Sequence, residues 1–297
     1  MKKKISYLVG LILGFLILLV AQMPDTKAKM VVCDVGQGEA ILFIKGSTQV
    51  LIDGGPSSEK ILSCLEEYVP FYDRTIELIV LTNTDFDHIN GLSAVIDRYQ
   101  VIQFVTADGV HSSVGLDKFI EKLMINKIVV HAVERGDRVI VQTKQGLDKL
   151  EFRVLWPSEV IEQYVAVFSD QMQNDERKRI LGASAKRGDL NERSVALLLL
   201  EDNQTILLMG DAGDQAEKEM VKSGDLPDAD ILKVGHHGSK YASTLEFLEK
   251  VRPELAVISV GAKNTYGHPT KETLEQLSKI GAVVRRTDLE GTIEIVL

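Results

Sequence analysis

The sequence predicts an α/β (α+β) chain folded as a four-layer αββα sandwich, with two mixed β-sheets face to face and helices on their outer sides. Two observations predict it. Short apolar or alternating runs of strand length take turns with stretches of helical periodicity, a pattern that puts strands into sheets and helices over them. The theme also occurs twice, once on each side of a long polar stretch from Pro157 to Arg193. At 297 residues, with 45% hydrophobic and 26% charged residues, the chain can bury a sizeable core without staples.

In chain order, the first half opens with strands predicted over Met30 to Val35, Ala40 to Lys45 and Gln49 to Asp53, separated by glycine-containing turns. A helix is expected over Ser58 to Tyr68, a strand over Leu78 to Leu81 and a helix over Gly91 to Tyr99. Further strands are read at Val101 to Thr106, Lys127 to Val133, Val139 to Val141 and Leu150 to Leu155. The second half gives strands Ser194 to Leu200 and Thr205 to Met209, a helix Asp214 to Ser223, and a strand Ile231 to Val234. A helix near Thr244 to Val251 follows, with Ser243 and Glu246 read as its capping box. The strand Leu255 to Val260, a helix Thr270 to Lys279 and two terminal strands finish the chain. The stretch from Pro157 to Arg193 reads as an insertion at the edge of the fold, of the long kind that tends to be functional or disordered.

The first 29 residues stand apart. Lys2, Lys3 and Lys4 form a basic start, and Ile5 to Met23 carry no charge, which is the pattern of a signal peptide or an N-terminal membrane anchor. The apolar part is barely long enough for a span, which takes about 20 helical residues. Thr26-Lys27-Ala28 suits a cleavage site better than Leu19-Val20-Ala21, and the three lysines place residues 30 to 297 outside the cytoplasm, extracellular or anchored facing outside. Only two cysteines occur, Cys33 and Cys64, so this is no disulfide scaffold, and the sequence leaves their pairing open. The net charge of −9 argues against broad non-specific nucleic-acid binding. Arg177, Lys178, Arg179, Lys186 and Arg187 are a local basic exception, read first as a solvated loop.

Candidate chemistry concentrates in the turns that follow apolar strands. Four of the six histidines lie in three such turns. Asn83-Thr84-Asp85-Phe86-Asp87-His88 puts two carboxylates and an imidazole within four residues, and carboxylates so close repel unless a cation compensates them. Gly210-Asp211, Gly235-His236-His237-Gly238-Ser239 and Tyr266-Gly267-His268-Pro269 deliver the rest. Taken singly, each has a plain reading as a cap or a turn. Together, carboxylates and imidazoles converging from successive strand ends are how a hydrolytic metal site is assembled. His111 and His131 lie outside these turns and read as surface or core residues.

These residues give the chain a resemblance to the metallo-β-lactamase superfamily, and within it to the hydrolase domain of ComEC-like competence proteins. The match is carried by Asp34-Val35-Gly36-Gln37-Gly38, Leu51-Ile52-Asp53-Gly54-Gly55, Asp85-x-Asp87-His88, Asn191-x-x-Ser194, Gly210-Asp211, His236-His237-Gly238-Ser239, Tyr266-Gly267-His268-Pro269 and Arg286-Thr287-Asp288, in the family's order across Met30 to Leu297. The resemblance implies a metallo-β-lactamase sandwich and an exported metal-dependent hydrolase of phosphodiester bonds using a metal-activated water. Asp85, Asp87, His88, Asp211 and His236 are then the metal ligands, with His268 as the runner-up to His236. Asp87 and His237 take catalytic roles, His237 as a contact to the scissile group. Asn264, Tyr266 and His268 would line the substrate mouth, and Asp53 would steady the ligand turn by hydrogen bonds.

The superfamily's first turn usually reads His-x-His-x-Asp-His, and here Asn83 and Asp85 hold the two leading places. An amide oxygen suits manganese, magnesium or calcium better than zinc. The cofactor is therefore expected to be a divalent metal, zinc or manganese, as one or two ions. The expected partner is a phosphodiester-containing substrate, DNA or RNA first, with the membrane as a further partner if the N-terminal segment stays uncleaved. A phosphoester of a cell-envelope polymer and a catalytically reduced binding relative are the alternatives.

Overall fold

The structure is a computed structural model that describes residues 27–107, 114–144, 146, 148–158 and 191–297, together with positions 4, 7 and 9–14. The export segment falls largely outside the described residues, and His111 and the basic run Arg177 to Arg187 fall wholly outside them. Among the described residues no helix is long and apolar enough to cross a membrane.

The strands are β1 (Lys29–Val32), β2 (Ile41–Lys45), β3 (Thr48–Ile52), β4 (Thr75–Leu81), β5 (Gln100–Thr106), β6 (Val129–Ala132), β7 (Arg138–Gln142), β8 (Lys149–Trp156), β9 (Ala196–Glu201), β10 (Gln204–Leu208), β11 (Ile231–Lys233), β12 (Leu255–Ile258), β13 (Val283–Arg286) and β14 (Ile293–Val296). They form two seven-stranded sheets, ordered β14-β1-β2-β3-β4-β5-β6 and β13-β12-β11-β10-β9-β8-β7. Both are mixed, as expected. β3 through β6 run parallel in one and β10 through β13 in the other, while the remaining pairs are antiparallel.

Period-two alternation explains the layers. Ile41 and Phe43 of β2, and Ile206 and Leu208 of β10, point into the seam between the sheets, where Phe43 meets Phe152 edge-on at 5.6 Å between ring centroids. Their neighbours Leu42 and Leu207 point outward to the helices. On the first sheet those helices are α1 (Ser58–Tyr68), α3 (Leu92–Arg98) and α4 (Val114–Ile125), with α2 (Phe86–Ile89) a single turn. On the second they are α5 (Asp214–Ser223), α6 (Leu245–Val251) and α7 (Lys271–Lys279), and α8 (Thr287–Glu290) joins the last two strands. In α1, Ile61, Cys64 and Leu65 form a helical stripe that is buried, and the Ser57 hydroxyl accepts from the Lys60 N–H. Full burial of Ile61 and Leu65 is worth about 1.5–3 kcal/mol each.

Three local readings change, and one left open is settled. Strand β1 stops at Val32, because from Cys33 the chain bends into the glycine turn at Gly36 and Gly38. Helix α4 was not anticipated; its Phe119, Ile120 and Leu123 pack under the first sheet's outer face. The N-cap of α6 is Thr244, not Ser243: Ser243 sits at φ 61° and gives its N–H to Glu217. Cys33 and Cys64 are joined as a disulfide, with Cα atoms 6.0 Å apart, tying the end of β1 to α1.

Candidate metal centre

Parallel strands point all their carboxyl ends the same way, and the turns leaving those ends form a common crevice. Asp53 follows β3, the segment from Thr82 to His88 follows β4, Gly210-Asp211 follows β10, Gly235 to Gly238 follows β11, and Ser259 to His268 follows β12. The two sheets meet along this edge. Ser194 bridges them, its hydroxyl taking the Asp211 N–H at 2.9 Å and donating to the Thr82 carbonyl at 3.3 Å. Gly210, at φ 52°, must be glycine here, because a Cβ would lie 2.4 Å from that same hydroxyl.

His88 is fully buried, and its Nδ1 lies 2.7 Å from Asp53 Oδ2. Asp53 also accepts from the Thr82 N–H at 2.7 Å and the Thr82 hydroxyl at 2.6 Å. A carboxylate held by three donors fixes the proton on Nδ1 and leaves Nε2 facing the crevice. His237 is oriented by a different device. Its Nδ1 lies 2.9 Å from the Ser259 carbonyl, which can only accept, so Nδ1 carries the proton and Nε2 again points inward. His236 and His237 both adopt left-handed backbone, at φ 47° and 55°, as does Asp53 at 59°. Such conformations cost on the order of 1–3 kcal/mol each and cluster at functional sites.

The inward atoms converge. His88 Nε2 lies 3.3 Å from Asp211 Oδ2, while His237 Nε2 lies 3.2 Å from Asp87 Oδ2 and 3.5 Å from Asp211 Oδ1. His88 Nε2, His237 Nε2 and Asp211 Oδ1 are all buried without a hydrogen-bond partner. Burial opposes protonation of His88, yet Asp211 and Asp53 raise its pKa well above the ordinary value. Burial likewise opposes charge on His237, and Asp211 and Asp87 raise it. Burial opposes ionisation of Asp211 too, but His237 and His88 hold it far below the ordinary carboxylate range. The carboxylates thus demand positive charge. Imidazole protons can supply it, and so can a divalent cation bound by the deprotonated Nε2 atoms. Two imidazole nitrogens and two carboxylates around partnerless buried atoms fit such an ion.

The candidate ligand group differs from the expected one at two places: His237 stands where His236 was expected, and Asp85 is not part of the group. The geometry brings His237, not His236, to Asp87, His88 and Asp211. The His236 ring turns toward His268, 5.7 Å away, and its Nε2 meets the Asn191 amide at 3.4 Å. With two consecutive left-handed residues, only one of the adjacent imidazoles can face inward. On this flank Asn83 Oδ1 accepts from the Asp85 N–H at 2.9 Å and its Nδ2 donates to Asn191 Oδ1 at 2.9 Å. Asp85 is half-buried, its pKa raised by burial and by Asp87. Asn264 is a loop clasp: its amide donates to the Gly261 and His268 carbonyls and accepts from the His268 N–H. Those bonds hold the loop that carries His268. Tyr266 is exposed and stacks on His268 at 5.9 Å, at the mouth. His131 lies exposed on β6, away from the crevice.

One buried acid escaped the sequence reading. Glu39, in the glycine turn before β2, groups with Asp211 and His237 with ligand atoms within 4.8 Å of one another. An acidic residue after Gly38 reads as a turn residue, and only its alternation with the buried run Ala40 to Phe43 could have marked it.

Comparisons with known proteins agree with this architecture. Residues 33–158 match the model of the metallo-beta-lactamase superfamily. The chain is 26% identical over 294 residues to ComE operon protein 3 of Bacillus subtilis, covering 91% of this chain and 33% of that protein. It is 26% identical over 292 residues to Recombination protein 2 of Haemophilus influenzae, covering 96% of this chain and 31% of that protein. The chain thus spans about a third of the length of the curated relatives it matches. Among solved structures, the metallo-β-lactamase-fold protein YhfI of Bacillus subtilis superposes with TM-score 0.56 at 12% identity, covering 91% of this chain and 99% of that one. Zn(2+)-bound PqqB of Methylobacterium extorquens superposes with TM-score 0.53 at 11% identity, covering 90% of this chain and 100% of that one.

Proposed function

From the match to the metallo-beta-lactamase superfamily model and the similarity to ComE operon protein 3 and Recombination protein 2, we propose that this chain is an exported, metal-dependent hydrolase of phosphodiester bonds. The observation that carries the reading is the convergence of two imidazole Nε2 atoms, each turned inward by its own Nδ1 bond, on the carboxylates of Asp87 and Asp211. Asp87, His88, Asp211 and His237 would hold one divalent ion, which when bound lowers the pKa of water and polarises the bond to be cut. Asp53 and the Ser259 carbonyl keep the imidazoles in the ligating tautomer. Burial, with His236 and His237 nearby, lowers the pKa of His268, so a neutral imidazole lies beside Tyr266 at the mouth.

The substrate reading draws on the relatives, one of them called a recombination protein, and nucleic acid is therefore tested first. Export is supported by the basic and uncharged N-terminal segments and by the Cys33–Cys64 disulfide, a bond that persists in oxidising compartments. Zinc and manganese both suit the mixed nitrogen and oxygen set.

The test is elemental analysis of the purified chain, with hydrolysis of bis(p-nitrophenyl) phosphate and of single-stranded DNA in added Mn²⁺ or Zn²⁺. Bound metal with turnover of either substrate is expected. Absence of both sinks the proposal, and metal without turnover turns it toward the binding relative that Asn83 favours.

A further inference from the structure

A further carboxylate reaches the same space as the four ligands. Glu39 is fully buried, and its backbone N–H donates to the Asp87 carbonyl at 3.1 Å, so its turn is tied to the ligand turn itself. Gly38, just before it, has its Cβ position 2.3 Å from that same carbonyl, which is why the two turns can close on each other. One carboxylate oxygen, Oε2, accepts from Lys233 Nζ. Lys233 is itself fully buried and also donates to the Val234 carbonyl at 2.9 Å. The other oxygen, Oε1, is buried with no hydrogen-bond partner.

A buried carboxylate oxygen without a partner is costly unless something meets it. Glu39 groups with Asp211 and His237, and Asp211 Oδ1 and His237 Nε2 are likewise without hydrogen-bond partners. Two carboxylates and an imidazole lone pair share one need, a cation. Around a single ion at about 2.0–2.2 Å, opposed ligand atoms stand at most about 4.4 Å apart. The ligand atoms of Glu39, Asp211 and His237 lie within 4.8 Å of one another, so small side-chain shifts bring them to one ion. Charge points the same way: Glu39 and Asp211 bring two carboxylates to this space, and Lys233 pairs with Glu39.

We infer that Glu39 joins Asp211 and His237 as a ligand of the cation held in this crevice, and that Lys233 is the fixed counter-charge that sets its carboxylate. The inference rests on the metal-dependent reading above. It makes the site richer in oxygen, which raises its affinity for Mn²⁺ relative to a four-ligand site.

The experiment measures Mn²⁺ and Zn²⁺ binding to the metal-stripped full chain by calorimetry, beside the melting temperature of each apo-protein. Glu39→Gln alone leaves a buried ammonium unpaired, so the decisive variant is Glu39→Gln with Lys233→Met, which removes both charges at similar volume. Its apo-protein is expected to melt within a few degrees of wild type, with Mn²⁺ binding at least tenfold weaker and Zn²⁺ less affected. Glu39→Asp keeps the ion pair but draws the free oxygen back, and is expected to weaken Mn²⁺ as well. Wild-type affinity for both metals in either folded variant overturns the inference while leaving the four-ligand site standing. A wild-type chain that binds neither metal overturns it together with the proposed function.

Discussion

Replacing Asp53 by asparagine isolates what the carboxylate behind His88 contributes. The backbone is spared, since asparagine accepts the left-handed conformation at φ 59°. Its Oδ1 keeps the Thr82 N–H, which the aspartate holds at 2.7 Å. The amide nitrogen takes the place of Oδ2, which now faces the Thr82 hydroxyl at 2.6 Å and His88 Nδ1 at 2.7 Å. An NH₂ group cannot accept, so His88 Nδ1 must become the acceptor and its proton moves to Nε2. That atom lies 3.3 Å from Asp211 Oδ2 and is the one required to ligate. Losing a partner of this kind weakens metal binding about 10- to 100-fold, or about 1.4–2.8 kcal/mol. Calorimetric titration of Mn²⁺ into the apo-protein reads the loss, and long-range ¹H–¹⁵N correlation reads the tautomer. Wild-type affinity in D53N, or weakened binding with the proton still on Nδ1, would refute the reasoning.

The other predictions concern the flanks of the site and the frame that carries it. His237→Ala should strip the metal while His236→Ala retains it, as elemental analysis will register; the reverse order would restore His236 as the ligand. Asn83→His should leave the stoichiometry at one ion, because Asn191 and His236 remain bonded to each other, and a rise to two equivalents would reveal a latent second site. Removing the disulfide as C33S/C64S should cost about 3–4 kcal/mol in urea unfolding, from the entropy of closing a loop of 31-residue separation. Burial pushes the Glu217 pKa from 4.5 up to about 7, against hydrogen bonds from Thr244 and Ser243. A raised folded pKa contributes stability that is full below 4.5 and is lost as pH rises through 7, about 3 kcal/mol in all. E217Q should flatten that part of the unfolding profile, and an unchanged slope would assign it elsewhere.

Much of the sandwich was legible because burial on both faces of a strand leaves continuous apolar runs, as in β4 and β9, while α1 and α5 carry helical stripes. The metal turns were legible as residue types after strand ends, the level at which local sequence reports chemistry. What stayed hidden depends on backbone sign and distant contact. Whether His236 or His237 faces inward is set by left-handed φ values that two adjacent histidines do not advertise. The pairing of Cys33 with Cys64 depends on α1 docking across β1. Helix α4 had its signal in the spacing of Leu116, Phe119, Ile120 and Leu123, and went unread. Glu39 was hidden because its partner, Lys233, lies 194 residues away.

The crevice is built unequally on its two flanks, and that inequality bears on how many ions it serves. Around His88 and His237, every outward ring nitrogen is committed to a protein acceptor and every inward one is left without a hydrogen-bond partner, so the protein has arranged ligands for a cation. Around Asn83 the arrangement is the opposite: Asn83, Asn191 and His236 satisfy one another through a chain of amide hydrogen bonds that also fixes the Asp85 N–H. Recruiting these groups to an ion would break two or three bonds worth roughly 0.5–1.5 kcal/mol each and offer amide oxygens in return. On the proposed reading, this flank is filled by hydrogen bonds, and the site would serve a single ion.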